Sequence, residues 1–299
     1  MTKILITGIN GFIGNTIKMY FLKHKNKYEI WGIDKVSKFK NTKSVNLLNT
    51  IDCKKISEEL PFFDVIIHTA SIAHSKIDNE NILKKNLTIT ENVINFFSNS
   101  KSHFIFLSSV SVYGEDERIR PVTIDDSLRP STYYGKSKLQ SEIMIKNFFL
   151  SCDILRLCPV YGINNLNDIK KRVIFPKQSF FKMQIIPSPK YSLCNIDLIS
   201  FTINNIVKRG PKNKNIYNVC DNKPYSQKEI SNCFKNQKLI LPTFLFKPFY
   251  YLTYILSFEK GYKLRCLYWK LFKSNEYVCN LQNNHLNNKE MLIKLLNVN

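Results

Sequence analysis

The stretch TYYGKSK, residues 132–138, sets two tyrosines and two lysines within seven positions. On an α-helix only residues three or four apart share a face, so Tyr134 and Lys138 stack one turn apart, while Tyr133 has Ser137 at that offset. A phenol with an ordinary pKa near 10 is a poor base at neutral pH, and lowering it by about three pH units takes about 4 kcal/mol. A cation one turn away is the direct means. Tyr134 with Lys138 is therefore a candidate proton-transfer couple, and Tyr133 is expected to pack or to line the pocket. A lone Y-x-x-x-K is common by chance and more often structural, so its meaning rests on the rest of the chain.

TGINGFIG, residues 7–14, follows the first strand-like run and opens the first helical pattern, with Gly8, Gly11 and Gly14 three apart. Missing Cβ atoms let backbone N–H groups approach a pyrophosphate at a helix N-terminus, so Gly8, Gly11, Phe12, Ile13 and Gly14 are expected to hold a dinucleotide. Three glycines alone are a weak signal. Strand, glycines and helix, followed by Asp34 at the end of the next strand, make the required context. A carboxylate there accepts hydrogen bonds from an adenosine ribose 2′-hydroxyl and repels a 2′-phosphate, which favours NAD. Lys35 and Lys38 nearby keep NADP open.

These residues need elements to position them. KILIT, YEIWGID, FDVIIHTA, HFIFLSSV, CDILRLCPV and NIYNVC are strand candidates, with amphipathic stretches 11–24, 81–98 and 134–150 between several of them. Strands alternating with helices argue for an α/β protein, a doubly wound parallel sheet of the Rossmann type. The alternation weakens after about residue 165, where prolines punctuate a loop-rich region, and 239–299 reads as mostly helical. The expected division is a dinucleotide-binding domain over 1–165 and a smaller, mostly helical substrate domain over 166–299, with 191–219 rejoining the first.

With these motifs in place the chain resembles an extended short-chain dehydrogenase/reductase of the nucleotide-sugar epimerase/dehydratase family, over roughly residues 1–230. VNLL places Asn46 and Leu47 where the family meets the adenine, and IIHTAS places Ala70 and Ser71 near the cofactor. Asn86 matches a helix asparagine, SSVSVYG the serine strand and YGKSK the Tyr-x-x-x-Lys. The resemblance implies that Ser109, Tyr134 and Lys138 are catalytic. Tyr134 would take a sugar hydroxyl proton while hydride leaves the carbon for NAD, and Lys138 would favour the phenolate and hold the nicotinamide ribose. Ser109 would hydrogen-bond the sugar oxygen, with Ser111 a further candidate contact beside a plain strand-polar reading.

Departures from the family pattern bear on the substrate. Pro159 stands where an asparagine often contacts the sugar, Lys190 near the place of an arginine associated with the diphosphate, and Arg265 is another candidate phosphate partner. Ser109 is followed by Val110 and Ser111, not by the Asp-Glu of 4,6-dehydratases. A UDP-hexose or UDP-N-acetylhexosamine 4-epimerase serving surface-polysaccharide synthesis is the expected activity, ahead of a 4-keto-6-deoxysugar reductase and of a non-catalytic dinucleotide-binding regulator. A homodimer is what the resemblance implies. His68 is expected to be a satisfied core histidine and His74 a pocket-wall residue.

Composition limits the remaining choices. The net charge of +21 comes from lysines spread through every segment, so a bias toward Lys, Asn and Ile explains it without nucleic acid, although the field attracts anionic ligands. Eight cysteines lack any C-x-x-C pair and no basic-then-apolar leader precedes KILITG, so a reduced, cytoplasmic protein without a metal site is expected. LILPTFLFKPFYYLTYILSF, 239–258, nears bilayer-spanning length, but Pro242, Lys247 and Pro248 argue against a span. A lid packed on the sheet domain is expected there, with an in-plane membrane contact as the alternative.

Overall fold

The computed structural model describes residues 1–281 apart from 24–26, 74–77, 115–119, 164, 175–179 and 257, so His74 lies outside the described residues. The first part of the chain forms β1 (Thr2–Thr7), α1 (Phe12–Leu22), β2 (Tyr28–Asp34), β3 (Thr42–Ser44), α2 (Thr50–Ser57), β4 (Val65–His68), α3 (Glu80–Phe97), β5 (His103–Ser109), α4 (Tyr133–Phe148) and β6 (Cys152–Leu157). There follow β7 (Val160–Tyr161), α5 (Asn167–Val173), β8 (Phe181–Ile186), β9 (Lys190–Tyr191), β10 (Cys194–Asn195) and α6 (Ile196–Arg209). The rest comprises β11 (Asn215–Val219), β12 (Tyr225–Ser226), α7 (Gln227–Asn232), β13 (Gln237–Pro242), α8 (Lys247–Leu252) and α9 (Phe258–Phe272).

Seven strands make one sheet in the order β11-β6-β5-β4-β1-β2-β3. The pairings from β3 through β6 are parallel. All six expected strands are present, and β3 adds a three-residue edge. Parallel strands covered on both faces are apolar throughout rather than alternating, and every residue of β4 and β6 is buried. The order reverses between β1 and β4, so the crevice beyond their carboxyl ends is where an open α/β sheet takes a ligand.

The chain forms two compact, interleaved units: residues 1–114, 127–157 and 196–217 in one, and 115–126, 158–195 and 218–299 in the other. The sheet unit holds a core that includes Leu5, Ile33, Ile66, Val93, Phe104 and Ile154. The second unit has its own core around Tyr161, Ile169, Tyr191, Leu193 and Tyr225. It carries three two-stranded pairings, β7 with β10, β9 with β12 and β8 with β13.

The 239–258 segment belongs to the second unit. Its start is strand β13, parallel to β8. No residue of α8 or of the preceding 3₁₀ turn, Thr243–Phe246, is buried. The turn and α8, apolar nearly all round, spend one side on α9: Phe246 of the turn stacks on Phe272 with centroids 4.7 Å apart, and Tyr250 of α8 meets Tyr268 at 4.8 Å. Among the described residues, Phe249, Tyr251 and Leu252 on the other side are exposed.

Candidate active site

The glycine turn is built by close approach. Gly8 has φ +69°, and a Cβ there would sit 3.0 Å from the Cα of Ala70. A Cβ on Gly14 would sit 2.3 Å from the Gly8 carbonyl oxygen, so α1 can leave the turn only if residue 14 has no side chain. Gly11 is the N-cap, its extended backbone turning the chain into α1, and Phe12 and Ile13 follow as the first helical residues. The first N–H groups of a helix lack intrahelical partners, which makes this turn a ready cradle for a phosphate.

Asp34, at the end of β2, closes the turn from the side. One carboxylate oxygen accepts from Asn10 N at 2.8 Å and the other from Lys35 N at 2.7 Å. Asn46 and Leu47 sit before α2: the Asn46 side-chain oxygen accepts from Leu48 N at 3.2 Å, and the Leu47 carbonyl accepts from the Asn92 side chain at 2.9 Å. The residues after β4 are tied to β1, with Thr69 Oγ1 donating to Thr7 O and Ala70 N donating to Thr7 Oγ1. Ser71 follows, half-buried. Buried Asn86 then fixes the next residue, accepting from Ile72 N at 2.8 Å and donating to Ile72 O and to Ser137 Oγ. A cofactor cradle free of obstructing side chains, flanked by a carboxylate, fits a dinucleotide.

The catalytic candidates lie at the carboxyl end of β5 and in the first turns of α4, which packs beside it. Ser109 ends β5, and its Oγ accepts from Ser111 N at 3.2 Å and from Ser111 Oγ at 3.0 Å. A Cβ on Gly135 would sit 2.7 Å from Ser111 O, so this glycine, next to Tyr134, lets the first turn of α4 lie against the serine turn. Lys138 lies one turn below Tyr134, its Nζ 5.7 Å from that ring and 4.7 Å from the Phe106 ring, and it donates to Leu107 O at 2.8 Å. Burial pulls the Lys138 ammonium from 10.5 down to about 7, and the Glu142 carboxylate pushes it back upward.

Two supporting groups escape sequence reasoning. Asp78 accepts from Tyr133 N at 3.0 Å and from Tyr134 N at 3.2 Å, holding the start of α4 together with Thr132, whose Oγ1 accepts from Gly135 N. Nothing in the sequence joins Asp78 to a helix 55 residues on. Glu142 is fully buried, chelated by Arg156 Nε at 3.1 Å and Nη2 at 2.8 Å, and accepts from Ser108 Oγ at 2.6 Å; Arg156 also donates to Tyr113 OH at 2.9 Å. Its spacing was a usable signal, since Tyr134, Lys138 and Glu142 repeat every four residues along one face.

His68 is a core histidine, as expected. Its Nδ1 lies 2.7 Å from Thr7 Oγ1 and its ring stacks on Phe106. Burial, with the nearby Lys138 charge, lowers it to about 3, so it is neutral at physiological pH. Tyr133 packs under the Lys136 ammonium, 5.1 Å from its ring centroid.

Three candidate substrate contacts lie in the second unit. The Pro159 carbonyl accepts from Cys194 N at 3.0 Å. Lys190 is exposed on β9, its backbone N–H donating to Ser274 Oγ. Arg265 donates to Thr253 O at 3.2 Å and covers the Tyr254 ring at 4.4 Å, which engages its guanidinium in the turn after α8.

Residues 4–177 match the model of the NAD dependent epimerase/dehydratase family. The chain belongs to that family. It is 27% identical over 187 residues to UDP-arabinose 4-epimerase 1 of Arabidopsis thaliana, covering 54% of this chain and 44% of that protein. It is 32% identical to the uncharacterized UDP-glucose epimerase YtcB of Bacillus subtilis, covering 54% of this chain and 57% of that protein. The chain thus matches about half the length of these curated relatives. The fold is shared with the UDP-Glc/GlcNAc 4-epimerase of Campylobacter jejuni, at TM-score 0.71 and 19% identity over 100% of this chain and 98% of that one. It is also shared with the UDP-glucuronic acid 4-epimerase of Bacillus cereus solved in complex with NAD, at TM-score 0.64 and 22% identity over 81% of this chain and 88% of that one.

Proposed function

We propose that this protein is an NAD-dependent nucleotide-sugar 4-epimerase, acting on a UDP-hexose or UDP-N-acetylhexosamine in surface-polysaccharide synthesis. The observation that carries the proposal is the Tyr134 and Lys138 stack, with the Ser109 turn held against it by Gly135, in the sheet unit that also carries the glycine cradle. The 4-epimerases among the relatives and structural neighbours support the same choice.

Gly8, Gly11 and Gly14 with the Phe12 and Ile13 amides would hold the pyrophosphate, Asp34 the adenosine ribose, and Asn46 and Leu47 the adenine. Ala70, Ser71 and Asn86 would line the nicotinamide side. NAD, when bound, supplies an acceptor for hydride and gives the hydride back. Tyr134 would take the proton of the sugar 4-hydroxyl as the carbon–hydrogen bond breaks, Ser109 would hydrogen-bond that oxygen, and the charge on Lys138 would favour the Tyr134 anion. With NAD bound, Tyr134 would give the proton back to the sugar oxygen as hydride came back to the other face of carbon 4, which would invert that carbon and leave every group as it began.

The test is to purify the protein without added cofactor, identify and quantify the dinucleotide released on denaturation, and assay UDP-sugars for 4-epimer interconversion. Near-stoichiometric NAD with interconversion is the expected result. An empty site that takes up NADPH and reduces a 4-keto-6-deoxysugar nucleotide in one direction would replace the epimerase reading with a reductase. Bound dinucleotide with neither reaction would point to a non-catalytic binder.

A further inference from the structure

Among the described residues, exposed apolar side chains recur along one short stretch of the second unit, from Leu239 to Leu256. Phe244, Phe249, Leu252 and Ile255 are 64%, 67%, 53% and 81% exposed. Scattered exposed apolar residues are ordinary, but a contiguous set from one short segment marks an interaction surface. The set is presented by a fixed frame. Tyr250 on α8 packs edge-on against Trp269 of α9 at 5.5 Å as well as on Tyr268. Arg265 ties α9 to the Thr253 carbonyl, and Gly261 permits that approach, since a Cβ there would sit 2.1 Å from Thr253 O.

Charge selects the partner. Between residues 233 and 275 the sequence holds eight lysines and arginines against Glu259 alone. A second copy docking face to face through this surface would bring two lysine-rich segments together, because a two-fold contact pairs each surface with itself. An anionic lipid surface supplies the opposite charge together with an apolar layer for the aromatic and aliphatic side chains. Tyr and Trp, abundant here, are the side chains that settle at headgroup level, and lysine stems let their ammonium groups reach the phosphates. Among the described residues no helix is long and apolar enough to cross a membrane, so the contact is one of seating on the surface rather than spanning it.

We propose that the Thr243–Phe246 turn, α8 and the residues just after it form an interfacial docking surface for an anionic lipid bilayer. The test is flotation of the purified full chain with vesicles of phosphatidylcholine alone or containing about one quarter phosphatidylglycerol, at low and high salt. The protein is expected to float with the anionic vesicles and to be released by salt. Phe249→Ser with Leu252→Ser should lower the partition coefficient about tenfold. Phe62→Ser, which removes an 87% exposed ring of the sheet unit, should leave it unchanged. These side chains are exposed, so unchanged thermal unfolding is expected in all variants. Equal flotation of the double variant and the wild type, or no flotation at all, would overturn the proposal. So would a double variant that turns a dimer into a monomer while vesicle binding persists, which would make a second copy the occupant.

Discussion

Replacing Glu142 with Gln tests how the buried network serves Lys138, the lysine of the proposed proton-transfer couple. Glu142 and Arg156 have side chains 0% and 1% exposed, and their bidentate contact is joined by Ser108 and Tyr113. Removing one charge of a buried pair leaves the other uncompensated, at a cost of about 3–5 kcal/mol. The same substitution acts on Lys138, which burial already holds at about 7. Glu142 lies one helical turn away and raises it, so loss of that charge should lower the lysine further. If catalysis needs the ammonium, the alkaline limb of kcat/KM moves to lower pH. Guanidinium unfolding and a pH–rate profile check the two effects. Glu142→Leu with Arg156→Met separates them, because exchanging a whole buried pair for apolar groups is often neutral or stabilising. This double variant should recover the stability, and because both charges of the pair leave together its limb should move less than that of Glu142→Gln. An unmoved alkaline limb in folded Glu142→Gln would refute the electrostatic link, and a loss of under about 1 kcal/mol in that variant would refute the buried-pair reasoning.

Gly14→Ala places a Cβ against backbone, so overpacking of about 1–3 kcal/mol is expected, together with weaker dinucleotide binding measured by calorimetric titration. Asp78→Ala removes the acceptor for two N–H groups at the start of α4 and should cost about 0.5–2 kcal/mol. It should lower kcat more than it changes KM, with Asp78→Asn recovering much of the loss. For His68 the unfolded imidazole binds a proton below 6.5, while the folded one stays neutral down to about 3. Stability therefore falls as pH drops through that window, and His68→Gln should flatten the slope by up to about 1.4 kcal/mol per pH unit in acid unfolding curves.

Much of the sheet and the motif residues were legible because they are local. β1, the Gly8 to Gly14 turn, Asp34 and the Tyr134 and Lys138 spacing each follow from short-range rules of periodicity and backbone clearance. What stayed hidden depends on contacts across the chain. Asp78 finds α4 only through the fold, and Arg156 on β6 reaches Glu142 only because α4 packs against the sheet there. β3 is too short to give a periodic signal. Gln237–Pro242 looks helical or lid-like by composition and is a strand because β8 lies beside it. The interleaving of residues 115–126 with the second unit likewise has no local marker; Val122 N–H bonds to the carbonyl of Glu276.

The central claim is that Tyr134 moves the proton in a reaction that inverts carbon 4. The most direct measurement is NMR of 4-epimer interconversion of UDP-sugars by the wild type and by Tyr134→Phe, with the dinucleotide content of each protein determined alongside. Interconversion by the wild type, nearly abolished in a Tyr134→Phe variant that keeps its NAD, is the predicted result. Turnover at the wild-type rate in that variant would contradict the mechanism.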